Sequence, residues 1–563
     1  MKRGFVTLLL VFFSGMLLAQ PGRRGFSPNL NTAPKSLPDS MLLHDKDSSK
    51  ISVNRTTAFR VTDKSGERYI APLDTLRLNF ANSTLIDGRG TAVGYLANIG
   101  SPAQSRIFSE RNENNDFIFA DAYSYYITTP QNALFYDVKD PYTRINYVRA
   151  GGQTNREEMF NGVITTNFGK KINIGIDFDY TYVRGQYASN SNNLLYYRPF
   201  GSYLSDRYEL HAYFRNHNYL NSENGGLTND RYVTNPDDFT DGKRPLDPKS
   251  FPTRFTDTWN RIKGKQIFLT HRYNLGFYRE LTSQEKEEEE KKKEQAKQKR
   301  EEEASEKAAM NLDSSENGAD ENAQPDNAIP NIFASGEDES VEKPEEEEID
   351  AVFVPVSSII HTFEYEDNSR RFISKNANID TVYAYYYDAP VYGSPDSLLN
   401  DYTESWSVKN TVGLSLREGF QDWVKFGLTA YVNFDKRRFT LPGDSLRGTV
   451  NYDEFSTYIG GELSKQQGKL FTYKARGELC IVGSDIGEFR IDGELNSSFR
   501  LWGKETSIKA NGYIKNLTPA FYMRHNHQRY FWWDNNLDNR QRVYVGVEID
   551  VKETHTKISS GVE

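Results

Sequence analysis

From Lys171 to Val183 the chain alternates strictly. Ile172, Ile174, Ile176, Phe178, Tyr180 and Tyr182 fall on one side, and Asn173, Gly175, Asp177, Asp179 and Thr181 on the other. A period of two is the signature of an extended strand and rules out a helix. The run exceeds the usual soluble strand of roughly 5–6 residues. It matches the roughly 9–11 residues of a tilted strand crossing a bilayer, one face in lipid and the other in a polar lumen.

The same rule recurs. Short candidate strands cover Tyr69 to Ile70, Phe117 to Ile127, Thr143 to Val148 and Phe160 to Phe168, and Gly169-Lys170 is a tight turn. Tyr208, Leu210, Ala212 and Phe214 alternate with Arg207, Glu209, His211 and Arg215; Ile267, Leu269, Tyr273, Leu275 and Phe277 give a further apolar face. Val352 to Tyr365 and Arg371 to Tyr387 read as two strands joined by the turn residues Asp367-Asn368-Ser369. The last third is the most regular, with apolar faces led by Trp406, Val424, Phe471, Phe489, Ile508 and Val543. Connections there alternate: Glu418 to Gln421, Gln466 to Lys469 and Trp502 to Glu505 are short, Phe439 to Asp453 and Thr518 to Gln541 long, and Gly483 to Gly487 is a short exception. This predicts an all-β fold, an antiparallel up-and-down transmembrane β-barrel of about 14–18 strands when complete. A large soluble β-sandwich would show shorter strands and Greek-key irregularity instead.

Met1 to Ala19 has two cations, an apolar run from Phe5 to Leu18 and a small residue at the end, the pattern of a secretory signal peptide. Residues 20–50 read as a flexible leader, and 51–140 as an irregular region forming first hairpins or a periplasmic or plug segment. The barrel is assigned to 141–563. Nothing after residue 20 is apolar and long enough to span as a helix, so insertion has to be by strands.

Composition sharpens this picture. Mean hydropathy is −0.71, yet 13% of residues are aromatic, with 35 Tyr and 34 Phe. A barrel joins the two properties, since half of each strand is polar and aromatic girdles mark both interfaces. The single Cys480 excludes a disulfide framework. The net charge of −9 belongs to one insert: Leu281 to Asp350 carries 24 acids and 9 bases, a net of −15 that leaves the remainder at +6. Its first part, Glu285 to Glu303, sets glutamates four residues before lysines, which supports an exposed helix; the second, Asn311 to Glu348, has little to bury and reads as disordered. Counting strands back from the turns places 281–350 outside the cell.

The segments RVTDKSGERYIAPLDTLRLNF (60–80), GYLANIGSPAQSRIF (94–108), FIFADAYSYY (117–126), YVRAGGQTNREEMF (147–160) and ENGGLTNDRYVTNPDDF (223–239) resemble the outer-membrane β-barrel porin family of Bacteroidetes. The resemblance runs from about Ala58 to the end and implies a pore-like protein of the cell outer membrane. Members of that family are longer. The stop at Gly561-Val562-Glu563, just after a strand and without a terminal aromatic residue, adds the expectation of truncation at the C-terminus.

No phosphate-binding Gly-rich loop, nucleophile elbow, His-Glu-x-x-His or paired-cysteine spacing occurs, so neither an enzyme nor a cofactor is expected. His525 and His527 would share a strand face but lack a third metal ligand. The candidate pore-lining residues are the charges opposite the apolar faces: Asp177, Asp179, Lys425, Lys474, Arg476, Arg490, Asp492, Glu494 and Lys509. The expected function is passive or weakly selective diffusion of small hydrophilic solutes. The alternative is a plugged barrel acting as adhesin or as the membrane component of a surface complex. Expected partners are outer-membrane lipid and small hydrophilic solutes, with further copies of the chain left open and nucleic acid excluded.

Overall fold

The computed structural model describes residues 56–71, 92–96, 98–111, 116–239, 246–281, 351–376, 399–420, 424–443, 448–465, 471–501, 504–551 and 556–563, with Leu73, Ile379 and Thr554. The expected signal peptide, the leader and the insert after Leu281 lie outside them. Five short strands come first: β1 (Thr56–Val61), β2 (Arg68–Ala71), β3 (Val93–Tyr95), β4 (Ala103–Ser105) and β5 (Phe135–Val138). The wall follows as β6 (Tyr142–Ala150), β7 (Glu157–Phe168), β8 (Ile172–Arg184), β9 (Ser191–Leu204), β10 (Tyr208–Ser222), β11 (Thr258–Glu280), β12 (Ala351–Ser374), β13 (Leu399–Leu416), β14 (Gly427–Pro442), β15 (Thr449–Lys465), β16 (Phe471–Gly483), β17 (Phe489–Leu501) and β18 (Lys504–Leu517). After a small hairpin of β19 (His525–His527) and β20 (Trp532–Asp534) come β21 (Arg540–Val551) and β22 (Thr556–Val562). β6 to β18, β21 and β22 form one 15-stranded antiparallel sheet in chain order, with β6 and β22 at its edges.

The wall is inside-out relative to a soluble protein. Leu414 and Val545 are 65% and 64% exposed, while Arg198, Arg215 and Arg272 are at most 2% exposed. Every second residue of β10, from Glu209 through His211, Tyr213, Arg215, His217 and Tyr219 to Asn221, is buried on one side. An apolar exterior with a polar interior is stable only where the exterior meets hydrocarbon, as on a membrane barrel.

The described residues between 56 and 138 pack into the interior. β1 pairs with β2 and β5 in a three-stranded sheet separate from the wall, and β3 pairs with β4. Phe59, Val61, Phe135, Tyr136 and Val138 pack with the wall's Phe200, Tyr213 and Phe268. A second cluster joins Phe117, Ala120 and Tyr123 to Tyr196, Tyr219, Phe439 and Tyr522.

Several expectations are corrected. Phe117 to Ile127 is not a strand but contains the 3-10 helix Ile118–Tyr123. Its buried residues, Phe117, Ala120 and Tyr123, recur every third position, the period of that helix. Asp367-Asn368-Ser369 is no turn. β12 runs straight through it, because Asp367 pairs with Lys265 on one side and Trp406 on the other, and two-sided pairing overrides local turn preference. β9 and β15 escape the sequence reading, and the supposed long loop Phe439 to Asp453 shrinks to 443–448.

Making β12 one strand reverses the parity. Connections 169–171, 205–207, 281–350, 417–426, 466–470, 502–503 and 552–555 lie at one end of the sheet, and 151–156, 185–190, 223–257, 375–398, 443–448, 484–488 and 518–539 at the other. Glu280 pairs with Ala351, so the ends of the acidic insert emerge with the short turns. In such barrels the short turns are periplasmic and the long loops external. The insert therefore leaves the sheet at the end of the shortest turns, not at the end of the long loops 223–257 and 518–539 as the sequence reading expected.

Candidate functional site

Segment 56–138 has little regular structure, so its backbone carbonyls need partners from elsewhere. The wall supplies them. Arg198 on β9 donates through Nη2 to the Leu134 carbonyl at 2.9 Å and through Nε to Asp177 at 2.8 Å. Arg215 on β10 donates to the Thr128 carbonyl and, at 2.8 Å, to Glu366. Arg272 on β11 donates to the Ser65 carbonyl at 2.6 Å, with Glu67 3.8 Å away. The Tyr219 hydroxyl donates to the Tyr126 carbonyl at 2.9 Å, and Asn192 to that of Ile99 at 3.0 Å. Guanidinium suits this task because its fixed fork serves a carboxylate and a carbonyl together, which offsets part of the cost of burying the charge.

Farther along the wall, charge meets charge. Asp116 of the inner segment accepts from Lys409 at 3.2 Å and Arg437 at 3.1 Å. Arg437 also reaches Glu454 at 3.1 Å and Asp485. Burial alone would raise the Asp116 carboxyl, but Lys409 and Arg437 outweigh it and hold the group well below the usual carboxylate range. Burial acts likewise on Asp63, and there Lys64, Arg476 and Lys474 prevail and lower it.

A cavity of about 440 Å³ lies between Asp116 and the wall. Asp63, Lys409, Asp435, Arg437, Arg476 and Arg490 are among its lining residues. A larger space of about 1250 Å³ adjoins β3, β4 and the 3-10 helix, bounded by Arg540, Arg542, Glu548 and Lys557.

The sequence-predicted residues divide into groups. Arg476, Arg490 and Asp492 line the 440 Å³ cavity. Arg476 binds Asp492 at 3.1 Å, and Arg490 binds Glu488. Lys474 pairs with Glu462 at 3.1 Å, and Lys509 with Glu494 at 3.0 Å, on the same inward face. Asp177 and Asp179 flank a small separate space of about 140 Å³, and Asp177 is committed to Arg198. Lys425 is not in the wall at all: it is exposed in the turn before β14, because the strand begins only at Gly427. Glu364, Glu366, Lys409 and Arg437 were missed, although carrying the alternation along β12, β13 and β14 to their inward faces would have found them.

His525 and His527 both approach Asp534, at 2.7 and 3.1 Å, and His527 also contacts the Pro442 carbonyl at 2.9 Å. Asp534 is lowered from its usual value: burial opposes this, and the two histidine hydrogen bonds prevail. Among the described residues no group of three or more His, Cys, Asp or Glu side chains is arranged to hold a metal ion.

No curated protein matches the chain. Among solved structures, it is similar to a mutant of the ferric enterobactin receptor PfeA from Pseudomonas aeruginosa at 8% identity and a TM-score of 0.41, covering 77% of this chain and 54% of that one. It is also similar to the siderophore receptor PirA from Acinetobacter baumannii (9%, TM-score 0.38, 75% and 52%) and to the ferric-catecholate import receptor Fiu from E. coli K12 (8%, TM-score 0.40, 77% and 60%). The chain spans just over half the length of the first of these receptors. Residues 55–563 match the family described as "Putative porin", and the chain belongs to that porin family of outer-membrane β-barrels.

Proposed function

We infer that this barrel gives restricted, weakly selective passage to small hydrophilic solutes, along the side of the lumen where charged walls are not sealed by residues 56–138. The observation that carries this reading is the 440 Å³ cavity between Asp116 and the strands β10 to β17, lined by both signs of charge. Acids and bases facing each other stay hydrated and repel neither ion strongly, so size is the main filter and charge a secondary one. The inner segment then acts as a constriction.

Swelling of proteoliposomes containing full-length protein, in solutes of increasing size, tests the reading. Passage of the smallest solutes with a sharp cut-off is expected; no passage of any solute would refute it. The filled lumen also favours a second reading, a sealed barrel that serves as the membrane component of a surface complex. That barrel would pass nothing, and a partner would be recovered through loop 223–257 or 518–539.

A further inference from the structure

On β10, β11 and β12 three inward positions lie in register: His217 is opposite Gly264, and Gly264 opposite Asn368. Gly264 has no side chain, so the imidazole and the amide lean over it from both sides. A Cβ built there would collide with the His217 ring and the Asn368 Oδ1. His217 is 1% exposed and neither ring nitrogen has a hydrogen-bond partner; Asn368 is 7% exposed and its Oδ1 has none either. Both residues line the 440 Å³ cavity. Buried polar groups left without partners are uncommon and costly, of order 1–3 kcal/mol each; three such atoms converging on one notch beside a cavity mark a place for a ligand.

We propose that the His217–Gly264–Asn368 notch is a binding subsite for one hydroxyl group of a small neutral polyhydroxylated solute. A neutral imidazole offers one donor and one acceptor and Asn368 Oδ1 offers an acceptor. A hydroxyl fits that set because it donates and accepts at once. The rest of the cavity points the same way. Its charges largely answer one another, as Arg437 answers Asp116 and Arg476 answers Asp492. An added anion or cation would have to break those pairs, whereas a neutral polyol disturbs none. A volume of about 440 Å³ falls within the range of small-molecule sites, about 300–1,000 Å³. The closely packed notch contributes selectivity that size exclusion alone lacks, and in this the proposal builds on the channel reading.

The test uses full-length protein in detergent, with D-glucose as probe and saturation-transfer NMR as readout, beside the conductance of the unaltered protein. Gly264→Ala fills the notch, and Asn368→Leu removes its acceptor. Heat-modifiable gel migration checks that each variant is folded. The expected result is measurable glucose binding that weakens about tenfold in both folded variants, the worth of one well-made hydrogen-bonding site. If the unaltered protein binds no glucose, the notch holds only water and the proposal is overturned; binding that both variants retain overturns it equally. Glucose binding that the variants abolish, in a protein showing no conductance, would uphold the notch and reject the channel reading. Conductance without glucose binding would do the reverse.

Discussion

Two stretches of the wall obey the same alternation and do different things. Along β9 to β11 the inward arginines are sealed. Arg198 and Arg215 are 1% exposed, and each joins a wall carboxylate to a carbonyl of the inner segment. Along β16 to β18 the inward charges stay wet: the side chain of Arg476 is 32% exposed, that of Arg490 40% and that of Lys509 45%. The residue types are alike. What differs is what the inner segment offers them: backbone carbonyls packed onto Arg198 and Arg215, but the charged side chains of Asp63 and Lys64 near β16. An arginine is a structural strut where the inner segment provides a carbonyl, and a solute-facing charge where it does not.

The largest expected effect is all-or-none and fixes which way both stretches point. A Ser305→Cys variant, within the acidic insert, stays unlabelled by a membrane-impermeant maleimide on intact cells, whereas Ser250→Cys in loop 223–257 is labelled. Labelling of both would overturn the assignment of the short turns to the periplasm. Next comes Arg198→Ala on the sealed side, which leaves Asp177 and the Leu134 carbonyl unpartnered. Breaking a buried pair costs about 3–5 kcal/mol, and denaturant titration would read that loss. Leu414→Arg, on the outer face, costs about 2–4 kcal/mol if it lies near the bilayer midplane. Arg476→Glu on the wet side is expected to cost at most about 1 kcal/mol while shifting the reversal potential toward cations. If Arg476→Glu destabilises as much as Arg198→Ala, the contrast between the two stretches is wrong.

Acid gives a smaller effect. A carboxyl held low when folded contributes stability that is present above its unfolded value, about 3.9, and is lost as pH falls through the folded value. Asp116 is such a group. Its hold on Lys409 and Arg437 therefore survives mild acidification, and the stability lost in Asp116→Asn, read by denaturant titration, is expected to be the same at pH 7 and pH 5.

Much of the fold was legible in the sequence, since alternation depends on each strand alone. Ile172 to Tyr182 shows it, and β8 begins and ends within a residue or two of the predicted span. The failures have a common cause. Asp367-Asn368-Ser369 reads as a turn by local preference, and only pairing with β11 and β13, remote in sequence, carries the strand through. That one break left Glu366 outside its strand and shifted the parity that placed the insert. The site was legible by half. Arg476, Arg490 and Asp492 were found as inward charges, but nothing local distinguishes them from Asp177, which is tied to Arg198. That distinction depends on where Leu134, Thr128 and Ser65 of the inner segment sit, which is set by contacts remote in sequence. Lys425 failed for the opposite reason, because alternation was extended one turn beyond its strand.

The central claim is that the described residues between 56 and 138 narrow the polar lumen and leave a charged route lined by β10 to β17. Planar-bilayer conductance of the full-length protein, compared with a variant lacking residues 56–138 and confirmed as folded by heat-modifiable migration, tests this most directly. The account predicts small steps from the full-length protein and much larger, persistent steps from the deletion variant. Steps of equal size from both would contradict it.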